Sequence, residues 1–128
     1  MENTKTVYPL EASLLLNRSD LGKIKDISKK NPIESCGVCC SDGVFELKNI
    51  AKNPCCFFIV DPDEYLYLIK NKNILYFWHS HVFGSERPSE YDILTSQEAQ
   101  LNSLIYSCVT DSFSFFSYKS VKLVYFSV

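Results

Sequence analysis

His79 and His81 are the only 2 histidines in the chain, and they stand two residues apart. On an extended strand, side chains at i and i+2 leave the same face, with Cα atoms roughly 7 Å apart. Two imidazoles so placed can share one metal ion. After His81 come residues 82–88, then Ser89, and Asp92 lies three positions beyond it. At that spacing Ser89 and Asp92 share one side of a helix. Two imidazole nitrogens and one carboxylate oxygen leave a fourth tetrahedral position open, which is how catalytic rather than structural zinc is held. A metal so held acidifies water towards neutrality, and hydrolysis then calls for a general base. Glu34, just before an apolar run that opens at Cys36, is the candidate.

Each of these residues also has an ordinary reading. The histidines could be a polar strand end, Glu34 a solvated loop carboxylate, and Ser89-x-x-Asp92 a helix cap of capping-box type. The last is compatible with ligation, because a cap would aim Asp92 at the histidines. Each ordinary reading explains its own residue only, whereas one metal site explains the set.

Elements to carry these groups can be read along the chain. Residues 1–17 form a weak tail or edge segment. Ser19 or Asp20 could cap a helix over 21–30, with Leu21, Ile24 and Ile27 at spacings of three, and Asn31-Pro32 ends it. Apolar runs at 36–41 and 44–48 are joined by Asp42-Gly43, a two-residue hairpin signal. A short strand is predicted over 57–60. Asp61-Pro62-Asp63-Glu64 opens a helix to about Lys70, with a cap, an early proline and two acids. The continuous apolar run 74–79 marks a central strand covered on both faces. A polar loop, 82–88, leads to a helix from Ser89 to about Leu101. Closing strands are predicted over 103–109 and 121–128, with Ser and aromatic residues alternating over 112–118. Strands interleaved with three helices predict an α/β or α+β fold, a mixed sheet layered by helices.

Composition narrows the function classes. The 128 residues suit one domain spanning 1–128. With 13 basic and 15 acidic residues, the net charge is −2 and the longest basic run is Lys29-Lys30, so no nucleic-acid partner is expected. No window of 18 apolar residues spans a membrane, and the N-terminus lacks a signal-peptide core, so a cytoplasmic protein is expected. In that compartment the 6 cysteines are expected as free thiols. Cys36, Cys39, Cys55 and Cys56 could be proposed as a second metal site. On strands, however, Cys36 and Cys39 point to opposite faces, as do Cys55 and Cys56. Core packing is expected for them and for Cys108. The aromatic residues Phe77, Trp78, Phe113, Phe115 and Phe116 are expected in the core or at an interface.

The pattern His79-Ser80-His81, seven residues, Ser89, two residues, Asp92, with Glu34 upstream, resembles the JAMM (MPN+) zinc metallopeptidase signature. The resemblance covers about residues 19–110. It includes Pro-x-Glu-x-Cys-Gly at 32–37 and Phe-x-x-Asp-Pro-x-x-Tyr at 58–65, which is similar to bacterial and phage members such as the N-terminal domain of phage tail assembly protein K. It implies a JAMM/MPN-like mixed sheet with cytidine-deaminase-like layering, and one zinc ion held by His79, His81 and Asp92. It further implies Glu34 as general acid/base and Ser89 as donor to the oxyanion, in hydrolysis of a peptide or isopeptide bond. Val82 stands where many relatives have proline, which removes no ligand. The cysteine-peptidase domain that follows in the tail protein is not in this sequence, so the chain is expected to act alone or with a separate partner. The expected partner is a protein with an extended small-residue tail, either a phage tail component or a ubiquitin-like modifier. A site at the end of the His79 strand is expected beside a sheet edge, where such a tail could add as a strand. The rival reading is an inactive MPN-type scaffold that mediates assembly.

Overall fold

Asn17 starts the first helix, α1 (Arg18–Lys30), by accepting the Asp20 backbone N–H on Oδ1 at 2.9 Å. The cap is therefore Asn17, and not the predicted Ser19 or Asp20. Asp20 instead falls in the first turn, where its carboxylate meets the positive end of the helix dipole. The structure, a computed structural model, describes residues 16–128. The predicted tail or edge segment lies outside these residues except for Leu16 and Asn17. Leu21, Ile24 and Ser28 are the buried side of α1, and the helix stops at Asn31, ahead of Pro32.

Strands β1 (Cys36–Cys40) and β2 (Gly43–Leu47) form an antiparallel hairpin in which Cys40 pairs with Gly43. The turn is thus Ser41-Asp42, one residue earlier than predicted. Gly43 opens β2 at φ 134°, a backbone region that favours glycine. Helix α2 (Pro62–Asn71) begins as predicted, with the Asp61 carboxylate accepting the N–H groups of Asp63 and Glu64. The apolar run becomes β3 (Ile74–His81), two residues longer than predicted, so both histidines lie on it. Helix α3 (Glu90–Ala99) crosses to β4 (Asn102–Ser107), which lies parallel to β3. Strands β5 (Ser112–Phe116) and β6 (Leu123–Phe126) close the sheet in antiparallel register.

The sheet order is β2-β1-β3-β4-β5-β6. The fold is α+β, a mixed six-stranded sheet with helices on both faces, as the sequence predicts. On one face α1 covers Cys39, Tyr76, Trp78, Leu104, Tyr106, Phe113, Phe115 and Phe126. On the other, Leu68 of α2 joins Cys36, Val38, Cys40, Leu47, Phe58 and Phe77. Cys36 and Cys39 therefore do point into opposite cores. The aromatic residues Phe77, Trp78, Phe113, Phe115 and Phe116 are all buried in the core. Gly37 is held by close approach: a Cβ there would lie 2.8 Å from the Trp78 ring and 2.1 Å from the Phe45 carbonyl. No helix among the described residues is long and apolar enough to cross a membrane.

Two further expectations fail. Residues 57–60 are not a strand; only Val60 bridges, to Asn49. The side chain of Asn49 replaces the ladder, with Oδ1 accepting the N–H of Ile59 (3.1 Å) and of Ala51 (3.0 Å). Its amide Nδ2 donates to the carbonyls of Phe57 and Glu34, both at 2.9 Å. Backbone groups satisfied in this way need no partner strand. Secondly, β3 lies in the sheet interior, flanked by β1 and β4, so its end adjoins no free edge.

Candidate metal centre

The site is built where the C-terminal end of β3 meets the N-terminus of α3. Alternation along β3 sends Phe77, His79 and His81 to the side that α3 approaches. Helix α3 is fixed there by a complete capping box: Ser89 Oγ accepts the Asp92 N–H at 3.1 Å, and the Ser89 N–H donates to Asp92 Oδ2 at 2.9 Å. The residues α3 buries are Asp92 and Ser96. Ser96 Oγ is bonded to the Leu101 carbonyl, so the inner side of the helix is polar, and it serves to deliver a carboxylate.

That carboxylate meets both imidazoles. His79 Nε2 lies 3.2 Å from Asp92 Oδ1, and His81 Nε2 lies 3.1 Å from Asp92 Oδ2. The two Nε2 atoms are 3.3 Å apart. For metal–ligand bonds of about 2.0–2.1 Å, neighbouring ligand atoms of a tetrahedron stand about 3.3 Å apart. The two Nε2 atoms thus stand at the spacing of a tetrahedral edge, each beside a different Asp92 oxygen, and the three side chains form a group that can hold a metal. His79 and Asp92 are buried, at 1 % and 5 % exposure. Burial alone would push the Asp92 carboxyl up, but the charge of His79 and hydrogen bonds from His79, His81 and Ser89 outweigh it and hold the group far below the usual carboxylate range. The donor set is therefore two imidazoles and one carboxylate anion, suited to a divalent cation.

The rings are oriented differently. His81 Nδ1 lies 2.6 Å from the Ser85 carbonyl. A carbonyl can only accept, so Nδ1 carries a proton, and Nε2, which donates to Asp92 without a metal, becomes the ligand nitrogen on losing its own. Burial lowers the proton affinity of His81, but hydrogen bonds to Asp92 and Ser85 and the charges of Asp92 and Glu34 more than compensate, so its pKa is raised. The loop bearing Ser85 is bound to the far strands. Ser107 Oγ donates to the Gly84 carbonyl at 2.7 Å. Ser114 Oγ donates to the Glu86 carbonyl, while Thr110 and Ser112 hydroxyls donate to the Glu86 carboxylate. The alternating serines of 112–118 thus have a role that their spacing alone does not disclose. His79 is held by stacking on Phe58, with ring centroids 4.3 Å apart. Its Nδ1 is buried and finds no partner among the described residues.

Glu34 is brought to the same cleft. The Ser35 N–H donates to Ser80 Oγ (2.8 Å) and the Ser80 N–H to the Ser35 carbonyl (2.9 Å), which straps the residue after Glu34 to the one between the histidines. Glu34 is 6 % exposed. Burial drives its pKa from 4.5 up to about 7, an effect that His81 partly offsets and Asp92 reinforces. A carboxyl with that affinity can take and return a proton near neutrality. The cleft, of about 280 Å³, is lined by Glu34, His81, Ser89 and Asp92, and walled by Phe57, Phe83 and Tyr91 among others. Ser89 Oγ uses a lone pair on its cap bond, which leaves its proton to donate into the cleft. All five predicted site residues are therefore gathered in one place.

Cys55 and Cys56 are also on the cleft wall, contrary to the expected core packing. They sit on the Asn53–Cys56 turn and not on a strand, half-buried and exposed respectively. Asn49, Phe58, Ser85 and Glu86 are supporting residues that spacing does not reveal.

No protein-family description matches the chain. No curated protein matches it either. Solved structures do. The solution structure of DSY2949 from Desulfitobacterium hafniense is similar at a TM-score of 0.63 and 21 % identity, over 87 % of this chain and 88 % of that one. The crystal structure of AF2198, a JAB1/MPN domain protein from Archaeoglobus fulgidus, is similar at a TM-score of 0.56 and 21 % identity, over 87 % and 94 %. The fold matches that of a JAB1/MPN domain.

Proposed function

We propose that this chain, built on the fold of a JAB1/MPN domain, is a zinc-dependent hydrolase of peptide or isopeptide bonds. The observation that supports it best is the pair of imidazole nitrogens 3.3 Å apart, each within 3.2 Å of an Asp92 oxygen, beside the cleft that Glu34 lines. His79, His81 and Asp92 would hold the ion. When bound, zinc supplies Lewis acidity, which polarises a carbonyl and acidifies water.

The remaining steps belong to the chain's own residues. Glu34 accepts a proton from the attacking water and returns it to the leaving amine, a cycle that its affinity near neutrality permits. Ser89 donates its hydroxyl proton to the oxygen that gains charge in the tetrahedral intermediate. Asp92 stays ionised throughout, and the Ser85 carbonyl keeps the His81 ring in its ligand tautomer.

The proposed substrate is the extended tail of another cytoplasmic protein, with glycine or alanine next to the scissile bond. A ubiquitin-like modifier and a phage tail component are the two candidates of that kind. Since β3 is interior, the tail would lie in the cleft lined by Phe57, Phe83 and Tyr91, and not along a sheet edge. A peptide panel varied at the two residues before the cut tests this. Bulky β-branched residues there should slow turnover well beyond tenfold, about 1.4 kcal/mol. A chelator and Glu34→Gln should each abolish most of the activity on the small-residue peptides. No metal-dependent turnover on any tail would favour the assembly scaffold instead.

A further inference from the structure

The described residues hold a second group of donor atoms, on the turn that forms one wall of the cleft. Asn53 closes this turn, its carbonyl accepting the N–H of Cys56 and of Phe57, both at 3.1 Å. It displays two consecutive cysteines whose Sγ atoms are 3.7 Å apart. Cys55 Sγ also lies 3.2 Å from Asn53 Oδ1, so an amide oxygen adjoins the two sulfurs. With metal–sulfur bonds of about 2.3 Å, neighbouring thiolates of a tetrahedral ion stand about 3.8 Å apart. The pair already spans such an edge.

Cys55 and Cys56 differ from the other cysteines. Cys36, Cys39 and Cys40 are buried in the sheet, Cys36 and Cys39 in opposite cores. Cys108 is half-buried, its Sγ against the Ser28 carbonyl. Only the turn offers two accessible sulfurs in contact.

We propose that Cys55 and Cys56 form a second metal site, selective for soft, thiolate-seeking d¹⁰ cations. Its sulfur donors distinguish it from the nitrogen and oxygen donors of His79, His81 and Asp92. On binding, each thiol releases its proton to solvent as its sulfur bonds the cation, so two protons leave per ion. The turn is tied to the candidate base, because the Glu34 N–H donates to the Pro54 carbonyl at 2.8 Å. A cation on the turn therefore occupies the wall of the cleft that Glu34 lines.

Cadmium is the probe. It is titrated anaerobically into the reduced chain while the ultraviolet thiolate-to-cadmium charge-transfer band is followed. One equivalent should saturate the band, Cys55→Ser/Cys56→Ser should abolish it, and His81→Ala should leave it intact. Binding of cadmium at the imidazole–carboxylate group gives no such band, and the titration does not depend on turnover. A wild-type chain without the band, a band that survives the double substitution, or one that requires His81 would each overturn the proposal.

Discussion

Replacing Glu34 by glutamine should make the metal-free protein more stable at alkaline pH while it removes activity. The carboxyl is 6 % exposed and its pKa rises from 4.5 to about 7, chiefly through burial. Between those two values the folded chain binds more protons than the unfolded one, so stability falls as pH rises through that window. Each tenfold change in proton affinity is worth about 1.4 kcal/mol, so the full penalty above pH 7 is on the order of 3 kcal/mol. The open mouth of the cleft screens part of it, leaving about 1–3 kcal/mol. Glutamine keeps the shape and cannot ionise, so it escapes this cost. At about 3–5 °C per kcal/mol for a chain of this size, Glu34→Gln should melt roughly 3–15 °C higher than wild type at pH 8. At pH 4, where both chains are neutral at this position, the two should melt alike. The assay is thermal unfolding of chelator-treated protein across pH 4–8, compared as a difference between the two chains, so that shared titrations cancel. The same variant should keep its zinc and lose at least about 10²-fold in turnover. A wild-type protein that gains stability relative to Glu34→Gln as pH rises would refute the picture of a desolvated base.

Further outcomes follow from the supporting contacts. Glu86→Ala removes the acceptors for Thr110 and Ser112 that anchor the Ser85 loop, so zinc affinity, measured by chelator competition, should fall about 10–100-fold with little change in the melting point of the metal-free chain. Gly37→Ala would force β1 away from the Trp78 ring, and chemical denaturation should show a loss of about 2 kcal/mol or more. Thiol titration of freshly denatured, unreduced protein should count all 6 cysteines, and four or fewer would mean bridges.

The metal group was legible because its signals are local. A two-residue histidine spacing reports a shared strand face, and Ser89-x-x-Asp92 reports a cap whose geometry also places the ligand. The apolar run before His79 identified the strand itself. What the sequence does not disclose depends on long-range bonds from side chains to backbone. Asn49 reaches Glu34 across 15 residues and Ser114 reaches Glu86 across 28, and no periodicity announces either. The same cause explains residues 57–60. Their composition suits a strand, but the Asn49 amide takes the bonds that a neighbouring strand would make. Cys55 and Cys56 leave the core for a related reason, since alternation holds only on strands and they stand on a turn. The position of β3 inside the sheet follows from the parallel crossover through α3, which sequence order alone does not fix.

Zinc content tests the central claim most directly. Protein carrying Cys55→Ser/Cys56→Ser, so that the turn holds no sulfur donors, purified without chelator and analysed for metals beside its measured concentration, should hold close to one zinc per chain. The same chain with His81→Ala added, which removes one of the three converging side chains, should hold almost none while keeping its circular dichroism. Equal zinc in the two proteins, or none in the first even after incubation with zinc, would contradict the assignment.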